Sequence, residues 1–404
     1  MNKFNDKLIF HIDVNSAFLS WSAADRLMRG ENIDLRDIAS VIGGDEQSRR
    51  GVVLAKSMSA KKNGIVTGES LFTARKKCGD LVVVSPDFSL YERCSRSMRE
   101  IFSDYTPYVE KFSIDECFLD VTSYNTSIEA ALSLARDIKD RIKSELGFTV
   151  NIGMSDVKLL AKMASDFEKP DKIHTLFKNE IKKKLWKLPV GELFMVGKKT
   201  VPRLNNLNIF TIGDLAQYDV SILKYHFKSS GLTMWKYANG IDDSEVKYNK
   251  YELKGISNST TLSENIKSRN EAYKVLLTLV EHTATRLRDI KKCCYCISVT
   301  IRNQEFNDSS RSRTLNNATD STQEILDTVK KLFDELWKGE PIRLLGVSLT
   351  NLCEDNFKQL SIFDISSVRD ERQRVIDKTI DSLRSKYGET SVIKSVLLKK
   401  KQYK

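Results

Sequence analysis

Long apolar runs are missing from this chain of 404 residues, and none approaches the roughly 18 positions that a membrane-spanning helix needs. Proline is scarce, at six residues, and no low-complexity block or internal repeat occurs, which excludes an extended or repetitive architecture. Histidine numbers four, scattered at positions 11, 174, 226 and 282, which gives no imidazole cluster for a metal. Seven cysteines are an odd number in a chain too long to need staples, so a disulfide scaffold is excluded and reduced thiols are expected. Cys293, Cys294 and Cys296 cluster in a strand-like run with no second pair nearby, which favours buried thiols over zinc. The opening MNKFNDKLIFHID has neither the apolar core nor the cleavage site of a signal peptide, so a cytoplasmic protein is expected.

What is present is ordinary globular material with a tilt. Hydrophobic residues make up 41% and charged residues 29%, enough to bury cores and to exclude disorder as the dominant state. The length predicts two to four domains. Lysine and arginine total 65 against 54 acids, a net charge of +11 that favours a polyanionic partner, nucleic acid before an acidic membrane surface. A mildly basic enzyme would look similar.

Residues 8–14 read as a buried strand, followed by a helix from Ser16 to Arg29 that Gly30 stops. Residues 31–80 are polar and glycine-punctuated, as expected of an insertion. A strand at 81–85, a helix at 89–104 and strands at 108–113 and 117–121 follow. Thr126 and Glu129 fit a capping box before a helix whose apolar positions, Ile128 to Leu146, recur at helical spacing until Gly147. A strand at 148–153 and a helix from Ser155 to Phe167 complete an α+β pattern whose centre is ferredoxin-like. Residues 177–241 read as short helices, with a helix–turn–helix around Gly197, Asn208 and Thr211. A charged stretch at 242–256 reads as a linker, and 257–352 as an αβ domain. The remainder, 353–404, ends in a basic amphipathic tail that either binds DNA or docks on the protein.

Three acids stand out by position. Asp13 ends an apolar strand, and Asp115 and Glu116 occupy the turn of an apolar hairpin, where a carboxylate is costly unless something cationic meets it. Converging acids suit two divalent ions that bridge a triphosphate. A hairpin-turn pair and a capping aspartate fit the spacing equally well.

Four ordered motifs carry a resemblance: His11-Ile-Asp-Val-Asn-Ser-Ala-Phe18, Lys56-Ser-Met-Ser-Ala-Lys61, Phe112-Ser-Ile-Asp-Glu-Cys117 and Gly153-Met-Ser-Asp-Val-Lys-Leu-Leu-Ala-Lys162. Together they resemble the Y-family translesion DNA polymerases of the DinB/UmuC type, over nearly the whole chain. The resemblance implies a palm at 1–30 and 81–176, fingers at 31–80, a helix-hairpin-helix thumb at 177–241, a linker, a little finger at 257–352, and a monomer acting on primer-template DNA and deoxynucleoside triphosphates. It implies that Asp13, Asp115 and Glu116, with the Val14 carbonyl, hold two magnesium ions. Phe18 matches the steric gate that excludes a 2′-hydroxyl, although its spacing alone suits a packed helix residue. Lys61 and Lys162 match triphosphate-gripping groups, or else are solvated surface lysines. Leu54 and Gly68 match positions beside the nascent base pair. Met58 and Lys61 depart from the tyrosine and arginine common in the family, replacing a hydroxyl with a thioether and a fork with a point charge.

The same resemblance assigns DNA contacts to Gly197, Lys198, Lys199 and Arg203 in the thumb, and to Arg302, Arg311 and Arg313, with Lys291 and Lys292 upstream, in the little finger. Met195 stands where a glycine is frequent. Gln359-Leu360-Ser-Ile362-Phe363 resembles a sliding-clamp-binding pentapeptide, with Gln359 at a pocket rim and the apolar residues inside. Two other functions stay open, a catalytically weak DNA- and clamp-binding factor and a nucleotidyl cyclase sharing the carboxylates. The latter has no use for the thumb or the basic final domain.

Overall fold

The computed structural model describes residues 7–46, 49, 51–124, 127–248, 253–354 and 367–397. They form two compact units, residues 1–44 with 51–250, and residues 45–50 with 251–404.

The first unit begins with β1 (Ile9–Val14), buried along its whole length, and α1 (Ala17–Met28). An insertion follows: β2 (Ser40–Gly43), β3 (Val53–Lys56), α2 (Met58–Lys62), α3 (Leu71–Lys77) and β4 (Val82–Val84). These strands make a separate sheet in the order β3-β2-β4 over a small core that includes Val41, Val53, Ile65 and Leu71. The strand expected at 81–85 is therefore β4. It pairs in parallel with β2, Val41 opposite Val83, and does not enter the larger sheet.

The larger sheet is built from β1 and what comes after α4 (Phe88–Ser103): β5 (Val109–Lys111), β6 (Glu116–Asp120), α5 (Ile128–Leu146), β7 (Val150–Ser155), α6 (Lys158–Ser165) and β8 (Ile173–Thr175). The strand order is β5-β6-β1-β7-β8, with β1 antiparallel to both β6 and β7, and its first four strands are ferredoxin-like. Alternation decides the faces. Phe10, Ile12 and Val14 join a core with Met98 and Phe102 of α4 and Ile138 and Ile142 of α5. Ile9, His11 and Asp13 point to the opposite face, where α6 lies. Ser127 caps α5 by accepting from the Ala130 amide, a role expected of Thr126, which lies outside the described residues. Gly147, at φ +74°, ends that helix as expected.

Gly153 on β7 sets how close α6 comes. A Cβ there would fall 2.0 Å from the Ala161 carbonyl oxygen and 2.4 Å from the Ser165 nitrogen, so only glycine admits the helix at this depth. The outer side of α6 shares a core with α7 (Ile181–Lys184), α8 (Val201–Asn205), α9 (Ile212–Gln217), α10 (Val220–Phe227) and α11 (Ser229–Ala238). The expected hairpin is α8–α9. Asn208 takes φ 58° in its turn, and Thr211 and Asp214 form a reciprocal capping box at α9.

The stretch expected as a linker from residue 242 starts as a strap on the palm. Val246 is buried against Ile9, Phe118 and Ala161. The Lys247 amide donates to Glu110 at 2.6 Å, and the same carboxylate takes the Lys158 ammonium at 2.6 Å. Asp242 adds a further hold by accepting the Leu159 amide at 3.1 Å, so an apolar side chain and two hydrogen bonds from amides lay the charged stretch down.

The second unit runs β9 (Gly255–Ile266), α12 (Arg269–Asp289), β10 (Lys292–Asn303), β11 (Asp308–Thr319), α13 (Thr322–Leu336), β12 (Ile342–Glu354) and α14 (Ser367–Tyr387). The sheet order is β11-β10-β12-β9, and α12 and α13 cover one face over Ile297, Val299, Phe333 and Val347. Of the two fates left open for the tail, α14 docks. Arg288 of α12 binds Asp381 at 2.6 Å, Arg374 binds the buried Asp320 at 2.7 Å, and Arg384 binds Glu281 at 3.0 Å. Cys293 and Cys294 are buried, Cys293 lying opposite Cys353. Among the described residues no helix is long and apolar enough to cross a membrane.

Candidate active site and nucleic-acid interface

Asp13 and Glu116 are register partners on β1 and β6, so both carboxylates leave the sheet on the α6 face. Asp115 precedes β6. Its carbonyl accepts the Val14 amide at 3.1 Å, and its carboxylate takes the Ser113 hydroxyl at 2.6 Å. The turn thus ties the Asp115 main chain to β1 while its carboxylate is held by Ser113.

Two lysines meet these acids. Lys162 of α6, brought in by the close approach at Gly153, binds Glu116 at 2.5 Å and reaches Asp13 at 4.0 Å. Lys169, in the turn after α6, binds Asp13 at 2.6 Å and Asp166 at 2.9 Å. Burial pushes the Asp13 carboxyl up to about 6, against the pull of Lys169. Burial works against the charge of Lys162 and Lys169, but the carboxylates outweigh it and hold both ammonium groups above their ordinary pKa. His11, behind Asp13, is fully buried and bonds Ser165 at 2.7 Å; desolvation, helped by Lys162, keeps it well below the usual range and neutral.

A cavity of about 520 Å³ opens beside the acids. Asp13, Val14, Asp115 and Phe18 line it from the palm, and Leu54, Met58 and Lys61 line it from the insertion. The Phe18 ring stacks on Tyr91 at 4.4 Å with 7° between planes and meets Phe88 edge-on at 6.0 Å. It is therefore both a packed helix residue and a wall of the cavity. Of the expected nucleotide residues, Lys162 sits on Glu116 instead of bordering the cavity, and Thr67 lines it where Gly68 was expected. Sequence reasoning missed Lys169, Arg36 and Thr149, all of which line it. Arg36 is held by a bidentate bond to Asp34 and donates to the Gly147 carbonyl at 2.7 Å. The one local sign of Lys169 was its place before Pro170, which reads simply as a helix stop.

Oxygen donors of this kind suit hard divalent ions such as magnesium. Among the described residues no three His, Cys, Asp or Glu side chains close around one point. Asp115 is turned to Ser113 while the lysines hold the other two acids, so ion binding would exchange these partners. The donor chemistry fits.

In the thumb, Gly197, Lys198 and Lys199 are exposed, and Met195 adopts φ 73°, the left-handed conformation a glycine would take without strain. Arg203 donates to the His226 carbonyl at 2.6 Å and lies 4.6 Å over the Phe227 ring, so part of its charge is spent within the domain. In the second unit the three expected arginines all have carboxylate partners. Arg302 binds Asp308 through two bonds, and Arg311 and Arg313 share Glu335 of α13 at 2.7 Å each. Arg311 and Arg313 lie opposite the core residues Val299 and Ile297, which puts them on the helix-covered side of the sheet. The uncovered side carries a row of serines across all four strands, Ser257, Ser348, Ser298 and Ser312, beside a row of Ser259, Gly346, Thr300 and Ser310. Lys292 pairs with Glu354. Gln359, Leu360, Ile362 and Phe363 lie outside the described residues.

A ferredoxin-like palm with an inserted three-stranded sheet, a hairpin thumb and a four-stranded final domain is the Y-family polymerase architecture. A solved Y-family DNA polymerase chimera superposes with a TM-score of 0.74 over 86% of this chain and 99% of that one, at 21% identity. The impB/mucB/samB family matches residues 12–166, and its C-terminal domain matches 253–362. Among curated proteins, DNA polymerase IV of Clostridium acetobutylicum is 54% identical over 98% of this chain and 99% of its own length. DNA polymerase IV of Acetivibrio thermocellus is 35% identical over 97% of this chain and 98% of its own, and DNA polymerase IV 1 of Bacillus subtilis is 35% identical over 98% and 95%. The chain belongs to the impB/mucB/samB family, as a DinB-like DNA polymerase of the Y-family.

Proposed function

We propose that this chain extends a primer 3′-hydroxyl on damaged templates, by phosphoryl transfer assisted by two magnesium ions, with low fidelity and no proofreading. The observation that carries the reading is that Asp13, Asp115, Lys169 and Phe18 line one cavity, with Lys169 on Asp13 at 2.6 Å. Asp13, Asp115 and Glu116, with the Val14 carbonyl, would hold the ions, which when bound lower the pKa of the attacking hydroxyl and balance charge on the triphosphate. Lys61 and Lys169 face the cavity from the insertion and from the palm, and grip the triphosphate between them. Lys162 pairs with the Glu116 carboxylate at 2.5 Å and would be released to the triphosphate when an ion takes its place. Phe18 lies where a 2′-hydroxyl would collide, and Leu54 and Met58 roof the base pair loosely enough to admit distorted templates.

In this reading the palm takes residues 1–30 and 81–176 apart from β4, the fingers 31–80 together with β4, which pairs with β2, the thumb 177–241 and the little finger 257–352, while Val246 straps the chain after the thumb to the palm. Gly197, Lys198, Lys199 and Arg203 track the phosphate backbone. In the little finger the hydroxyl rows offer donors to phosphates with no sequence code to read, and Arg302, Arg311 and Arg313 contribute by exchanging their carboxylates for phosphates. The Gln359–Phe363 segment binds the sliding clamp, and the protein works as a monomer in the cytoplasm.

Primer extension with magnesium and all four deoxynucleotides tests the reading. The natural chain is expected to extend, and Asp115→Asn with Glu116→Gln to abolish it. Extension by both would misplace the active site. Tight primer-template binding without extension by either would leave a DNA-binding factor.

A further inference from the structure

Two buried amides lie beneath the turn that carries Lys169. Asn151 of β7 is the register partner of Asp13 and is fully buried; Asn15, just past β1, is nearly so. The Asn15 Nδ2 donates to the Asn151 Oδ1 at 3.1 Å. From Asn151, Nδ2 donates to the carbonyls of Ser165 at 3.1 Å and Glu168 at 2.8 Å, and Oδ1 also accepts the Lys172 amide at 3.1 Å. The Asn15 Oδ1 accepts the Asp171 amide at 2.9 Å and the Thr149 hydroxyl at 2.9 Å. Both hydrogens and both lone pairs of the Asn151 amide are used, a set that neither a carboxylate nor a hydroxyl can supply.

Sorted by position, these bonds have one target. Two hold the main chain before Lys169, at residues 165 and 168, and two hold it after, at 171 and 172. Between them the Lys169 ammonium stands 2.6 Å from Asp13 and borders the cavity. A long flexible side chain grips a ligand well only when its base does not wander, because each freedom lost on binding weakens the grip.

We infer that Asn151 and Asn15 are positioning residues for the polymerase reaction: their paired amides clamp the turn at 165–172 so that Lys169 delivers its ammonium to the triphosphate from one fixed place. The inference rests on the reading in which Lys169 grips the triphosphate.

Single-nucleotide insertion kinetics on the full chain test it, using Asn151→Ala, Asn15→Ala and Lys169→Ala. Asn15→Ala is included because emptying a fully buried site can prevent folding, and primer-template affinity checks that each variant is folded. Either asparagine variant is expected to raise the KM for deoxynucleoside triphosphate about tenfold, yet less than about twofold when Lys169 is already alanine, the non-additivity of groups acting as a unit. The Asp171 and Lys172 amides are expected to lose protection from hydrogen exchange in the Asn15→Ala and Asn151→Ala proteins. An equal factor with and without Lys169, or unchanged exchange at both amides, overturns the clamp. Failure of the underlying reading shows differently, as a KM that Lys169→Ala does not move.

Discussion

Asp13 serves two ends that conflict. Its carboxyl is raised from 3.8 to about 6 by burial. The folded chain therefore binds this proton more tightly than the unfolded chain, and the stability it contributes is present below pH 4 and lost as pH rises through about 6. In chelator at pH 7.5, Asp13→Asn is expected to stabilise the protein by about 2–3 kcal/mol in urea denaturation while abolishing extension. A destabilised variant would mean that the Lys169 pair outweighs burial. Phe18→Ala is expected to admit ribonucleotides and, by removing the stack on Tyr91, to cost about 1–3 kcal/mol. Unchanged sugar discrimination would sink the gate. The acids were legible because a carboxylate closing an apolar strand must have a reason. Lys169 was not, because its meaning is a contact with a residue 156 positions away.

At the scale of elements, composition told strands from helices but not partners. The three valines of β4 read correctly as a strand, yet its bonds go to Ser40, Val41 and Ile42, a choice no local pattern announces. The strap after α11 read as a linker, yet a backbone amide and the buried Val246 tie it to residues far off in the chain, and of the two fates left open for the tail α14 takes docking. Glu110 anchors the strap. It is 2% exposed and serves both Lys158 and the strap. Glu110→Ala leaves a buried ammonium unpaired and is expected to cost about 3–5 kcal/mol, most of it regained when Lys158→Met is added. Equal loss in the double variant would show that the strap bond, not the ion pair, dominates. The hairpin turn at Asn208 and the stop at Gly147 were legible because backbone rules act within a few residues.

For the whole molecule, the net charge of +11 was a correct pointer to nucleic acid but names no surface for it. The arginines expected on DNA are paired with carboxylates, and the uncovered face of the final sheet carries two rows of small, mostly hydroxyl residues. Thr300→Glu with Ser348→Glu, neighbours in adjoining rows, is expected to weaken primer-template binding tenfold or more at low salt, with the gap narrowing as salt rises. Equal affinity at low salt would take DNA off this face. The lysines beside Asp13 and Glu116 carry a last consequence. Many metalloproteins need their ion in order to fold, because their ligands repel one another without it. Here Lys162 and Lys169 act as resident counter-ions, so assembly of the palm is uncoupled from metal supply. In the proposed two-ion reading magnesium would enter by displacing tethered cations rather than by filling a void, and chelation is expected to switch synthesis off and on again without a folding step between.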